Sequence, residues 1–328
     1  MYECIFIRYY TLHGLNFIVQ CENKALADES ELLFSYLPFV ISESPDTTSP
    51  VLIKFQPSKK PAPFPNDGLR PYTVNEILIF DSKKSVNITD NYTTFRFKPG
   101  AGTGIFYIHP SFNKKGLASK YNFFLIGLTY LFSYQGLFDL HGAALYNHEL
   151  GYLFLGQSSS GKSSIALSLV CNGWRYASDD SLLIKSNGRD VEVLSFRKQF
   201  FIDPKIISKY PELNSKITTE TNITGKKHFL NLDAIYPERF QSSIFPSCLI
   251  FSEIVTDQKS SIQSISKGQA FTNLLRQSVS IFFNRQTITE HMSVLKKLVN
   301  QCSCYQLYAG RDLYDNPDNI LNILPGNR

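Results

Sequence analysis

Gly156-Gln157-Ser158-Ser159-Ser160-Gly161-Lys162-Ser163 is a G-x4-G-K-S phosphate loop, and its reading decides the fold of this 328-residue chain. The apolar run Tyr152-Leu153-Phe154-Leu155 precedes it, and Ser164-Ile165-Ala166-Leu167-Ser168-Leu169-Val170 follows it. Strand, loop and helix in that order aim the first backbone N–H groups of the helix at phosphate oxygens. Gly156 to Gly161 then wrap the phosphates, Lys162 reaches the β and γ groups, and the Ser163 hydroxyl sits on Mg²⁺ with Ser164 in the same turn. A Gly/Ser-rich surface turn is the plain alternative, but it has no need of the flanking strand and helix. ATP and Mg²⁺ are the expected cofactors, with GTP open because no motif marks a base pocket.

Moving outward, Gly173 is a good residue to end that helix. Trp174-Arg175-Tyr176-Ala177-Ser178 reads as a strand running back toward the phosphates, which carries Asp179-Asp180 to the site. Adjacent strand residues point to opposite faces, so one Asp is expected to do chemistry while the other holds metal or a turn. A solvated acidic pair opening the next hairpin, around Ser186-Asn187-Gly188, is the competing reading. Upstream, residues 140–145 and 151–155 read as a hairpin whose fold-back sets His141 level with Gly156. An imidazole there can orient a catalytic carboxylate, although a lone His before Gly is ordinarily structural. Downstream, Arg197-Lys198 and Lys226-Lys227-His228 are basic groups able to meet phosphate or an acidic acceptor.

The series His141-Gly142, phosphate loop, Asp179-Asp180 resembles the HPr kinase/phosphorylase catalytic domain. More closely, it is similar to the HPr-kinase-related proteins beside bacterial peptide-modification genes, including lasso-peptide kinases. The likeness covers roughly residues 120–315, is strongest over 140–185, and includes Gly225-Lys226-Lys227 and Tyr308-Ala309-Gly310-Arg311-Asp312-Leu313. It implies an α/β nucleotide-binding core like that of phosphoenolpyruvate carboxykinase. Carried over by position, Asp179 is the base that takes a proton from an acceptor serine, Asp180 stands beside the metal that Ser163 holds, and His141 orients the catalytic Asp. Lys162 binds the β/γ-phosphates, and Lys226, Lys227 and Arg197 are candidate acceptor or phosphate contacts. The Arg-Gly-x-Gly segment of true HPr kinases has no counterpart in Ser195-Phe196-Arg197-Lys198-Gln199-Phe200, which argues against HPr as acceptor. The expected activity is transfer of the γ-phosphate of ATP to a hydroxyl, a serine of a peptide or small protein such as a ribosomal precursor. A small-molecule kinase and a nucleotide-responsive binding module are the alternatives.

Two domains are expected: a strand-rich α+β part over 1–112 and the kinase-like α/β part over 113–328. In the first, residues 3–20 alternate as strands about a His13-Gly14 turn, and Ala25 to Leu37 reads as a helix. Gln56 to Pro71 is punctuated by five prolines and reads as loop. Ile77–Phe80, Thr93–Phe97 and Ile105–Ile108 follow as strands. In the second, a helix over 287–300, a strand over 304–307 and a helix after Pro317 close the chain.

The composition is that of a globular protein with a sizeable core, 43% apolar and 19% charged. A net charge of +5 is too mild to indicate nucleic acid. Six scattered cysteines read as reduced thiols, and Cys302-x-Cys304 is too tight for a zinc knuckle. Tyr121 to Leu140 holds one charge, Asp139, but its polar interruptions favour a buried helix over a bilayer span. Glu3, Arg8 and His13 break the N-terminal apolar run, so a signal peptide is not expected. A cytoplasmic enzyme, capable of homo-oligomerisation by resemblance, completes the expectation.

Overall fold

The computed structural model describes residues 5–42, 50–60, 70–74, 76–147, 149–216, 228–256, 258–282 and 284–326. Contacts divide the chain into two compact units, Met1–Gln135 with Phe282–Ile288, and Gly136–Ile281 with Thr289–Arg328. The apolar helix thus groups with the first unit, where the sequence reading had set it in the second. Together they make a mixed α/β protein.

The first unit is one nine-stranded sheet. Its strands are β1 (Phe6–Leu12), β2 (Leu15–Cys21), β3 (Val40–Ser42), β4 (Val51–Pro57), β5 (Tyr72–Val74), β6 (Ile77–Asp81), β7 (Val86–Thr89), β8 (Thr94–Phe97) and β9 (Thr103–Ile108). Their order is β3-β1-β2-β4-β9-β8-β7-β6-β5. His13 and Gly14 have φ of 49° and 82°, the two left-handed residues of the tight turn that pairs Leu12 with Leu15. β2 and β4 are parallel, so the chain crosses between them through α1 (Lys24–Ser35), whose N-cap Asn23 accepts from the Leu26 N–H at 3.0 Å. The apolar segment forms α2 (Leu117–Ser133). Among the described residues no helix is long and apolar enough to cross a membrane. Phenylalanines dominate this core: Phe106 stacks on Phe55 and Phe95 and touches Phe123 and Phe124.

The second unit is built on two sheets. Its strands are β10 (Phe138–His141), β11 (Ala143–Asn147), β12 (Leu150–Leu155), β13 (Arg175–Ser178), β14 (Ser181–Asn187), β15 (Asp190–Ser195), β16 (Phe200–Ile202), β17 (His228–Leu230), β18 (Ser243–Ile244), β19 (Pro246–Ile254), β20 (Ser261–Ser264) and β21 (Ser303–Ala309). A six-stranded sheet runs β13-β11-β12-β19-β21-β20, a four-stranded sheet runs β10-β14-β15-β18, and β16 pairs with β17. The helices are α3 (Lys162–Cys171), α4 (Pro204–Ile207), α5 (Lys267–Leu275), α6 (Ile288–Gln301) and α7 (Arg311–Asp315), with a 3-10 turn over Pro317–Asn322.

β12 is apolar throughout because both its faces are covered. Tyr152 and Phe154 join α3, Trp174 and Tyr176 on one side. Leu153 and Leu155 join the four-stranded sheet, α5 and α6 on the other. Trp174 lies 5.0 Å from the Tyr152 ring, and Gly173 ends α3 with φ +94°. That is the helix stop and strand return read from the sequence.

His291 of α6 is stacked on Phe138, centroids 4.6 Å apart, and 1% exposed. Burial lowers its pKa from 6.5 to about 4, against a weaker upward pull from the Asp139 backbone. As pH falls the unfolded chain takes the proton first. The stability contributed by neutral His291 is therefore complete above about pH 6.5 and lost down to about pH 4, on the order of 3 kcal/mol. His291→Leu should remove that loss. Urea unfolding at pH 7 and pH 4.5 checks it: wild type should lose more stability than the variant, and equal losses would refute it.

Candidate functional site

The parallel strands β12, β19 and β21 all end at one edge of the six-stranded sheet. β13 is antiparallel to β11, itself antiparallel to β12, so β13 ends there too. Carboxyl ends of parallel strands are where α/β sheets bind ligands.

The loop after β12 is strained into a cradle. Ser159 and Gly161 have φ of 66° and 88°, and Gly156 has φ 148°. A Cβ on Gly156 would stand 2.6 Å from the Ser252 carbonyl oxygen and 2.7 Å from Ser160 Oγ, so only glycine fits. Ser252 Oγ, at the end of β19, donates to the Ser160 carbonyl at 2.6 Å and ties the loop to the sheet. Ser160 Oγ is buried and has no hydrogen-bond partner among the described residues. Gly161 offers no capping side chain to the first turn of α3. Lys162 is 5% exposed, and its Nζ donates to the carbonyls of Gly156 at 2.6 Å and Gln157 at 2.8 Å. An orphaned hydroxyl, an uncapped helix start and a buried ammonium fit a phosphate chain.

Asp180 reaches this loop because two chain paths change sheets at the same point. On one path His141 pairs with Ser181 in the four-stranded sheet, and three residues later Ala144 pairs with Ser178 in the six-stranded one. The switch falls at Gly142 on the first path and Asp179-Asp180 on the second. There the Gly142 N–H donates to the Asp180 carbonyl at 3.1 Å. A Cβ on Gly142 would lie 2.9 Å from the Phe154 carbonyl oxygen, so this crossing requires glycine. The β11/β12 register follows the expected fold-back, with Ala143 opposite Phe154 and Asn147 opposite Leu150. His141 itself does not pair with Gly156, because its strand has already left for the other sheet.

A cleft of about 320 Å³ gathers His141, Ser158, Ser159, Ser160, Gly161, Lys162, Ser163, Ser164 and Asp180. In it His141 Nδ1 faces Asp180 Oδ1 at 3.3 Å. The Arg197 guanidinium donates to Asp180 Oδ2 at 2.5 Å. Arg197 is 8% exposed, so it is no solvated surface charge. Burial lowers the His141 pKa, Asp180 opposes that, and Lys162 and Arg197 lower it further. His141 is therefore neutral at pH 7 and can present its Nδ1–H to the carboxylate.

Asp179, expected as the base, does not line this cleft. It is 1% exposed. Its charge is felt instead by the Tyr176 phenol, whose pKa is raised by burial, by the hydrogen bond to Asp233, and by the charges of Asp233 and Asp179. The doublet lies in the bend between β13 and β14 and not on a strand, so the expected alternation does not apply; Asp180 lines the cleft and Asp179 is buried away from its lining. Lys226 and Lys227 lie outside the described residues. Lys198 pairs with Asp233 at 3.6 Å and sits over Phe240, away from the cleft lining. Ser163 and Asp180, the donors expected for Mg²⁺, line one cleft and offer a hydroxyl and a carboxylate, hard oxygens suited to an ion that keeps most of its water. Among the described residues no cluster of three or more His, Cys, Asp or Glu could hold a metal unaided.

Sequence reading missed the tie from Ser252 and the far wall of the cleft, made by Ile202, Asp203, Lys205, Ile206, Ile254 and Tyr314. Nothing local in those residues marks them; they meet the loop only through the topology.

No protein family matches the chain, and no curated protein matches it. Among solved structures, the Hpr(Ser) kinase/phosphatase from Coxiella burnetii is similar with a TM-score of 0.27 and 14% identity, over 39% of this chain and 77% of that one. A likeness of that size decides neither fold nor function.

Proposed function

We propose that this chain is an ATP- and Mg²⁺-dependent kinase that transfers the γ-phosphate to a hydroxyl, a serine of a peptide or small protein. The observation that carries the phosphotransfer reading is the Asp180 carboxylate on the same cleft as the phosphate loop, held on one oxygen by His141 and on the other by Arg197. A nucleotide sensor needs the loop but has no use for an oriented carboxylate facing it.

In this reading the loop amides and Lys162 bind the phosphate chain, and Ser163 holds Mg²⁺ with Asp180 beside it. Mg²⁺, when bound, neutralises charge on the phosphate oxygens. Asp180 takes the proton from the acceptor hydroxyl as its oxygen bonds to the γ-phosphorus, and the bond from that phosphorus to the bridging β-phosphate oxygen breaks, with ADP leaving on the loop amides and Lys162. His141 and Arg197 position Asp180 for that transfer, one on each carboxylate oxygen. Asp180 thus replaces Asp179 as base, on the strength of placement. The acceptor class rests on the motif resemblance.

The test is incubation of the full chain with γ-labelled ATP, Mg²⁺ and serine-containing peptides or lysate. Label is expected on protein or peptide serine. Label on a small metabolite alone would favour a small-molecule kinase, and tight ATP binding with no labelled product would favour the binding module.

A further inference from the structure

A second cavity of about 350 Å³ opens beside the phosphate loop, walled by Ile165, Ile206, Ile254, Val255, Leu313 and Tyr314. It shares Gly161, Ser164, Ile206, Ile254 and Tyr314 with the cleft that holds Asp180, so the two are continuous. Its position follows from strand order. Asp180 follows β13, two strands to one side of β12, and Ala309 ends β21, two strands to the other. The phosphate loop thus stands midway, about 10 Å from each by strand spacing.

We infer that this cavity holds the base of the nucleotide, stacked on Tyr314 and against Ile206 and Ile254. The inference rests on the proposed kinase reading, which puts the terminal phosphate at Asp180. A nucleotide lying across the strand ends with its phosphates in the loop must then extend its base toward β21.

Two further observations favour a base as occupant. Among the described residues of this unit, Phe245, Ile254 and Tyr314 are the large apolar side chains left exposed, and two of the three stand at this cavity. Tyr314 is 63% exposed but held: Lys209 Nζ donates to its carbonyl and to that of Asp315, and lies 5.3 Å from its ring centroid. An anchored, solvent-facing aromatic ring beside a phosphate site is a stacking platform waiting for a flat partner.

The test compares Mg·ATP with Mg·tripolyphosphate by calorimetry on the full chain. Wild type should bind ATP at least about tenfold more tightly than tripolyphosphate, the scale of one base–aromatic stack. Tyr314→Ala should lose about tenfold for ATP and nothing for tripolyphosphate, and Tyr314→Phe should behave as wild type. Equal affinity of wild type for both ligands, or unchanged ATP affinity in Tyr314→Ala, overturns the base site while leaving the phosphate site intact. A Tyr314→Ala defect confined to acceptor KM reassigns the cavity to the acceptor and overturns it too. If wild type binds neither ligand, the kinase reading fails with it.

Discussion

Asp180→Asn is expected to slow phosphotransfer by about 10²–10⁴, the range over which a general base contributes, while ATP affinity changes by no more than about twofold. The amide keeps the shape of the carboxylate and its place opposite His141, yet it cannot take a proton from a hydroxyl. Single-turnover transfer and equilibrium ATP binding, measured on the same preparation, separate the two effects. The Mg²⁺ dependence separates base from ligand. A weakened metal site recovers as Mg²⁺ is raised, whereas a missing base does not. The paired variant is Asp179→Asn. Its side chain is 1% exposed and absent from the cleft lining, so it should lower the unfolding midpoint without a comparable loss in transfer per folded molecule. Full transfer by Asp180→Asn would remove the assigned role. An inactive but well-folded Asp179→Asn that still binds ATP would return the base to Asp179.

That ambiguity between neighbours shows where sequence reading stops. The segment from Tyr152 to Ser178 was legible because local chemistry dictates it: a doubly covered apolar strand, glycines where φ is positive, a helix ended by Gly173, and a strand returning to the same sheet edge. The hairpin register was legible too, since the turn between Asn147 and Leu150 sets every later pair. Which Asp faces the loop depends on the bend that joins β13 to β14, where the period of two no longer applies. No periodicity announces that the chain leaves one sheet for another at Gly142, so the pairing of His141 with Ser181 was hidden. Arg197 was marked as a candidate phosphate or acceptor contact, but its hold on Asp180 was not legible. Only tertiary packing sends Arg197 and Lys198 apart, one buried against Asp180 and the other to Asp233. In the first unit the loop expected from Gln56 to Pro71 starts too early: Gln56 and Pro57 still pair with Tyr107 and Ile108 at the end of β4, and residues 61–69 lie outside the described residues.

Lys162→Met is expected to weaken ATP binding by roughly 10²–10³, the value of two charge-assisted hydrogen bonds to phosphate. The thioether keeps most of the apolar stem and removes the charge. The observed contacts make this more than a generic expectation for the motif. The Lys162 ammonium now donates to the Gly156 and Gln157 carbonyls, so it holds the loop closed around the place a phosphate takes. Binding must exchange those two carbonyls for phosphate oxygens, which are the better acceptors because they are charged. The variant therefore loses the anion contact and the internal tie together, and part of its defect should be a looser loop. Amide hydrogen exchange across 156–163 in the absence of nucleotide should rise in Lys162→Met, and saturating ATP should protect those amides in wild type but not in the variant. Calorimetry supplies the affinity, and unchanged unfolding of the rest of the unit shows that the fold survives. Wild-type ATP affinity in Lys162→Met would mean that the nucleotide does not use this loop, and the kinase reading would fall at its first step.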